Sequence, residues 1–173
     1  MRTFVAVELP DEVKKKIMKI QKQLPQFDGK LTEEENLHLT LKFLGDIDDE
    51  LLSQVKKRLR KIKFNKFEAK IDFIDVFSPD YIKIIWLHIE SCSELHKAVD
   101  EALGDILPRE KRFMSHLTIA RIKHIEDREE FLDKVQTIKI PEIKFGIEKF
   151  YLKKSTLSKA KPKYETLESY DLM

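Results

Sequence analysis

The hydrophobic pattern alternates between two periods along the chain. Residues 3–9 alternate with period two, Val5, Val7 and Leu9 on one face and Phe4, Ala6 and Glu8 on the other, which predicts a strand. Val13, Ile17, Ile20 and Leu24 then step by helical spacing. A second alternating run follows, ENLHLTLKFLG (35–45), with Leu37, Leu39, Leu41 and Phe43 apolar and His38, Thr40 and Lys42 between them. Asp48 is placed to cap a helix whose stripe is Leu51, Leu52, Val55, Leu59 and Ile62, and residues 66–77 read as a strand.

The pattern then restarts. Residues 82–90 read as a strand, and Ser91 and Glu94 have capping-box spacing before a helix stripe of Leu95, Ala98, Val99, Ala102 and Leu103. Another histidine strand, HLTI (116–119), comes next. A weaker helix around 126–136 and strands at about 138–153 and 164–172 complete the chain. An offset of 82 residues carries Val7-Glu8 onto Ile89-Glu90, Glu12 onto Glu94, Val13 onto Leu95 and Ile17 onto Val99. Strand, helix and histidine strand recur in the same order, which implies a duplicated unit. The expectation is an α+β fold: one bilobal domain over 1–173, its first repeat about 1–78 and its second about 79–173. Each lobe has an antiparallel sheet flanked by helices, with a cleft between the sheets.

Composition narrows the class. With 42% apolar and 37% charged residues the chain is expected to be soluble and globular, and its formal net charge of +2 leaves partner choice to local clusters. The abundance of Lys, Glu and Ile, with few Asn, Gln and Cys, has the bias of a hyperthermophile protein. The single cysteine, Cys92, excludes an internal disulfide and reads as a buried thiol. The first apolar run, Phe4 to Leu9, is short for a signal-peptide core, and no run reaches membrane-spanning length, so a cytoplasmic location without membrane contact is expected.

The chemistry lies in the repeated strand. Side chains at i and i+2 share a face, so His38 sits with Thr40 and His116 with Thr118. The alternate residues Leu39, Leu41, Leu117 and Ile119 face the helices. Two imidazoles titrating near neutrality can divide the roles of base and acid, and hydroxyls can donate to phosphate oxygens. Placed on opposite sides of a phosphodiester, such pairs can drive in-line displacement at phosphorus. No metal-ligand spacing, nucleophile elbow or Gly-rich phosphate loop occurs in the sequence, so no cofactor and no metal are expected.

Paired His-x-Thr-x motifs on duplicated strands resemble the two-histidine phosphoesterase superfamily. Within it, the chain resembles the RNA 2′,3′-cyclic phosphodiesterases, formerly called 2′-5′ RNA ligases. The likeness runs through RTFVAVELP, ENLHLTLKFLGDI, IIWLHIE, SHLTIAR and FYLKKSTLSKAKPKYETLESYDL. Two departures are Ser115, where the family often has Pro, and Lys163, where it often has Gly. The resemblance implies hydrolysis of an RNA 2′,3′-cyclic phosphate to a 2′-phosphate. His38 is then the proton donor to the departing 3′ oxygen, His116 the base that activates water, and Thr40 and Thr118 the holders of non-bridging oxygens. It implies as partner an RNA with a cyclic phosphate end, tRNA halves among the candidates, bound by a monomer. Cleavage of 2′-5′ linkages or cyclic nucleotides, reversible 2′-5′ ligation, and a non-catalytic RNA-binding module are the alternatives.

Further residues carry weaker expectations. Lys42 continues the His38–Thr40 face and can neutralise phosphate. Arg121 matches the family's arginine and is carried over as a substrate contact, but strict alternation turns it away from His116, which equally suits a buried ion pair. Phe4 and Trp86 are equivalent under the 82-residue offset and fall in the cleft-facing phase, suited to stacking on a base or to forming an aromatic floor. His88 shares Trp86's phase and reads as structural. The stretch 153–163 holds five lysines and no acid, and reads as a cationic loop near the cleft or a solvated hairpin tip.

Overall fold

The computed structural model, which describes residues 1–173, contains two antiparallel sheets and four helices. In chain order these are β1 (Arg2–Glu8), α1 (Asp11–Gln21), β2 (Asp28–Leu31), a 3₁₀ turn (Glu34–Asn36), β3 (His38–Asp46), α2 (Asp49–Arg60), β4 (Phe67–Val76), β5 (Ile84–Glu90), α3 (Ser93–Leu103), β6 (His116–His124), α4 (Arg128–Gln136), β7 (Ile143–Ile147), β8 (Lys149–Leu157) and β9 (Pro162–Asp171). The first sheet has the order β3-β1-β8-β9 and the second β2-β6-β5-β4-β7. The repeat is visible in the pairing, since β1 runs antiparallel to β3 and β5 antiparallel to β6.

The sheets interleave the two halves of the chain rather than dividing at residue 78. Strand β4 joins the second sheet, and β8 and β9 return to the first. The crossing back takes a single residue, Glu148, between β7 in one sheet and β8 in the other. Helices are exchanged as well: α3, which follows a second-sheet strand, packs on β3, and α1, which follows a first-sheet strand, reaches β6. One continuous apolar core therefore runs through both sheets, with Val7, Leu39 and Leu41 at one end and Leu87, Leu117 and Ile119 at the other.

The helix boundaries follow their side chains. In α1, Val13, Ile17 and Ile20 are buried, but the helix ends at Gln21, leaving Leu24 half-buried beyond it. Asp48 caps α2 by accepting from the Leu51 N–H at 2.8 Å, and Asp127 caps α4 through Glu130. The capping box expected at Ser91 and Glu94 does not form; Ser91 has a left-handed φ of 81° and Cys92 is the residue before the helix. Burial pushes the Cys92 thiol up to about 12, in keeping with a packed, unreactive sulfur. The strand expected over 138–153 is two strands in different sheets, and β2, whose four residues are all exposed, carries no apolar alternation by which to read it. No helix is long and apolar enough to cross a membrane.

Candidate active site

Strands β3 and β6 come together where the sheets meet. They share one burial pattern position by position: half-buried, buried, half-buried, buried, buried, exposed, buried, exposed, exposed. Simple alternation holds for the first four residues and then slips. The cause is a β-bulge in each strand. In β3, Thr40 pairs with Ala6 and Lys42 with Val5, so Leu41 is the extra residue. In β6, Thr118 pairs with Trp86 and Ala120 with Ile85, so Ile119 is the extra residue.

Each bulge is held by a side chain from the exchanged helix. The Leu41 carbonyl accepts from His96 Nδ1 of α3 at 2.7 Å, and the Ile119 carbonyl accepts from Gln21 Nε2 of α1 at 2.9 Å. The Thr32 N–H also donates to Ile119, at 2.9 Å. His96 is buried and stacks on Phe113 with ring centroids 4.0 Å apart.

The slip re-aims four side chains. Phe43, expected in the apolar face, is exposed and lines the cleft, and Arg121 lines it too instead of turning away from His116. Lys42 goes the other way. It is 5% exposed, and its ammonium donates to Asp100 at 2.6 Å and to the Pro108 carbonyl at 2.8 Å, so it does not reach the cleft as a phosphate ligand. Its counterpart in β6 is Ala120.

A cavity of about 570 Å³ is lined by His38, Thr40, His116, Thr118 and Arg121 together with Arg2, Lys30, Phe43 and Tyr164. The Lys-rich segment is its roof. Strands β8 and β9 form a hairpin whose tip crosses to the second sheet: Lys30 of β2 donates to the Ala160 carbonyl at 2.5 Å, Lys161 pairs with Glu35, and Asn36 Nδ2 donates to the Pro162 carbonyl at 3.1 Å. Lys153 pairs with Glu8 at 2.5 Å beside His38. The two expectations for this stretch are both met in part: it is a hairpin, its tip lines the cleft, and Lys153 and Lys161 are engaged in ion pairs.

The two imidazoles are oriented in the same way. His38 Nδ1–H donates to the Asn36 carbonyl at 2.7 Å, and His116 Nδ1–H donates to the Met114 carbonyl at 2.9 Å. In the neutral rings this assigns the proton to Nδ1 and leaves Nε2 as the basic nitrogen. His38 Nε2 lies 2.9 Å from the Thr40 hydroxyl. The ring of Phe4 lies 5.2 Å from His38, and that of Trp86 6.1 Å from His116, completing the repeat. Both aromatics are 3% exposed and form a floor beneath the histidines, with Phe4 also in the cavity lining.

Surroundings then separate the pair. Burial lowers the His38 pKa to about 4, against the pull of the Asn36 carbonyl and with help from the charges of Lys153 and Arg121. Burial also lowers His116, with Arg121 adding to the effect against the Met114 carbonyl. Tyr164 meets the His38 ring edge-on at 5.1 Å, and its own phenol is raised by burial. Ser115, at the position of the family's frequent proline, is buried and donates to the Ile89 carbonyl at 2.5 Å, tying the start of β6 to β5. His124 lies at the end of β6, paired with Asp28 of β2 and away from the cavity lining.

The family described as LigT like Phosphoesterase matches twice, over residues 7–86 and 89–164. The chain belongs to this family. The two matched starts are separated by the same 82 residues that relate the repeats in the sequence. An RNA 2′,3′-cyclic phosphodiesterase of Methanocaldococcus jannaschii is 32% identical over 175 residues, covering 98% of this chain and 100% of the relative. One of Archaeoglobus fulgidus is 33% identical, covering 99% and 100%. Among solved structures, TT0787 of Thermus thermophilus superposes with a TM-score of 0.82 at 24% identity, covering 99% of this chain and 97% of the other, and so shares the fold.

Proposed function

We propose that the protein hydrolyses a 2′,3′-cyclic phosphate at an RNA end to a 2′-phosphate, without a metal ion. The observation that carries this reading is the pair of identically tethered imidazoles, each with Nδ1 tied to a backbone carbonyl and each followed by a threonine lining the same cavity. His116 Nε2 takes a proton from water, the water oxygen attacks phosphorus, the P–O3′ bond breaks, and O3′ takes a proton from protonated His38. Thr40, Thr118 and Arg121 hold the non-bridging oxygens, whose charge grows in the transition state. His38 is the more enclosed ring, edge-on to Tyr164 and bonded to the carbonyl of buried Asn36, while His116 bonds to that of exposed Met114, which favours water arriving on the His116 side.

The substrate negative charge supplies what the free site lacks. Both imidazoles favour neutrality in the empty cleft, and a phosphate anion beside them raises their proton affinity, so the acid becomes charged on binding. Both histidines, both threonines and Arg121 come from one chain, so the reading as a monomer needs no group from a second subunit. Cytoplasmic RNAs with cyclic phosphate ends, tRNA halves among them, fit the reading. Incubation of an oligoribonucleotide ending in a 2′,3′-cyclic phosphate, with EDTA present, followed by end-group analysis tests it. The expected product carries a 2′-phosphate; no conversion contradicts the assignment, and salt-sensitive binding without turnover identifies an RNA-binding module instead.

A further inference from the structure

The cleft-facing side of the second sheet continues past His116 as a row of rings. His88 of β5 stands directly opposite His116 of β6, and Phe73 of β4 directly opposite His88. Residues paired in this way share a face, so three neighbouring strands present His116, His88 and Phe73 side by side. His88 and Phe73 are stacked, with centroids 4.5 Å apart and planes 9° apart, and Asp72 holds His88 Nδ1 at 2.6 Å. Phe77 closes the row against both Trp86, at 5.1 Å, and the edge of His116, at 4.9 Å. Phe73 is 42% and Phe77 51% exposed, which is unusual for phenylalanines that have a core within reach.

We infer that this wall is a stacking subsite for the penultimate nucleobase of the RNA end, an inference that rests on the cyclic-phosphate reading above. Three features commit the occupant. The wall is continuous with the catalytic histidine rather than separate from the cleft. Its exposed groups are flat rings, and every nucleobase has a π-face to offer them. The hairpin-roofed cavity of about 570 Å³ has the volume of a site for a single small ligand, which accommodates the terminal nucleotide and sends the next one to open surface. Phe73 lies two strands from His116, about 10 Å away at ordinary strand spacing, a reach suited to the second base rather than the first.

The test is a double-mutant cycle between the wall and the RNA. Wild-type protein and Phe73→Leu, with Phe77→Leu as an independent second variant, are assayed on three oligoribonucleotides ending in a 2′,3′-cyclic phosphate: intact, abasic at the penultimate position, and abasic at the terminal position. Leucine keeps the apolar volume and removes the ring. The expected result is a roughly 5- to 100-fold rise in KM on intact RNA, insensitive to salt, that shrinks to within about twofold when the penultimate base is absent. Equal losses on intact and penultimate-abasic RNA, or coupling to the terminal base, overturn the proposal. Wild-type turnover separately reports on the reaction. If it is nil, the same cycle is read from binding of oligoribonucleotides ending in a 2′-phosphate, where absence of coupling again overturns the wall.

Discussion

Strands β3 and β6 are the same device in two settings. Both present His-x-Thr, both bulge at the fourth residue, and both tether Nδ1 to the carbonyl two residues earlier. Yet the carbonyl at His38 belongs to Asn36, buried and bonded to the hairpin, whereas that at His116 belongs to the exposed Met114. The residue after the bulge is a buried, ion-paired Lys42 in one strand and Ala120 in the other. The next is an aromatic, Phe43, in one and a cation, Arg121, in the other. Duplication set the geometry of two equivalent imidazoles; in the free protein the unequal surroundings lower His38 further, so the acid role proposed for it depends on the charge that a bound phosphate brings.

Removing either ring tests the equivalence most severely. His38→Ala and His116→Ala are each expected to lower kcat/KM by about 10²- to 10⁴-fold, the range for a positioned acid or base. Full rate in either variant, measured on a cyclic-phosphate oligoribonucleotide, breaks the pairing. The next largest effect falls on stability. Lys42→Met leaves Asp100 buried without its ammonium, and the expected loss is about 3–5 kcal/mol by denaturant unfolding. Combining it with Asp100→Asn is expected to recover much of that loss. A Lys42 variant of normal stability but raised KM returns this residue to phosphate binding.

Arg121→Met sharpens the electrostatic half of the comparison. Loss of a hydrogen bond to charged phosphate, worth about 1.5–3 kcal/mol, is expected to raise KM at least roughly tenfold. Burial holds both imidazoles below their ordinary range and the Arg121 charge adds to it, so its removal raises both pKa values part of the way back and moves the pH–rate profile toward alkaline pH. A profile that stays in place contradicts this coupling. The smallest effects separate the two bulges. His96→Ala strips the Leu41 carbonyl of its side-chain donor and removes the stack on Phe113, for an expected cost of about 1–3 kcal/mol. Gln21→Ala is expected to cost about 1 kcal/mol or less, since Thr32 N–H still serves the Ile119 carbonyl. Thermal and denaturant unfolding of the two variants checks the order.

The same strands show what could be read from sequence. Alternation located His38, Thr40, His116 and Thr118 on one face because that rule depends only on neighbouring residues. It failed from the fourth residue onward, misplacing Lys42, Phe43 and Arg121 together, because each bulge is specified by a distant side chain. Gln21 lies 98 residues from Ile119 and His96 55 from Leu41, and neither separation leaves a local pattern. The duplicated strand–helix–strand unit was legible for the same reason as the motif. The interleaving of the sheets was not, because it turns on one connecting residue, Glu148, and on the pairing of strands remote in sequence. Arg2, Lys30 and Tyr164 reach the cavity through those remote pairings, so their types gave no local sign of it.

The pH dependence of turnover on one cyclic-phosphate substrate, with and without EDTA, addresses the central claim directly. One ring must be neutral and the other charged, so kcat/KM rises and then falls with pH, and the two apparent values belong to the pair. A lowered pKa means that a ring keeps its proton only at more acidic pH. With both rings lowered in the free protein, the falling limb of kcat/KM is expected on the acid side of the ordinary histidine value of about 6.5. Bound phosphate raises both, so the falling limb of kcat lies at higher pH. A chelator-insensitive bell for kcat/KM, displaced to acid relative to that for kcat, is the predicted result; a single rising limb that disappears with EDTA contradicts catalysis by His38 and His116 as acid and base.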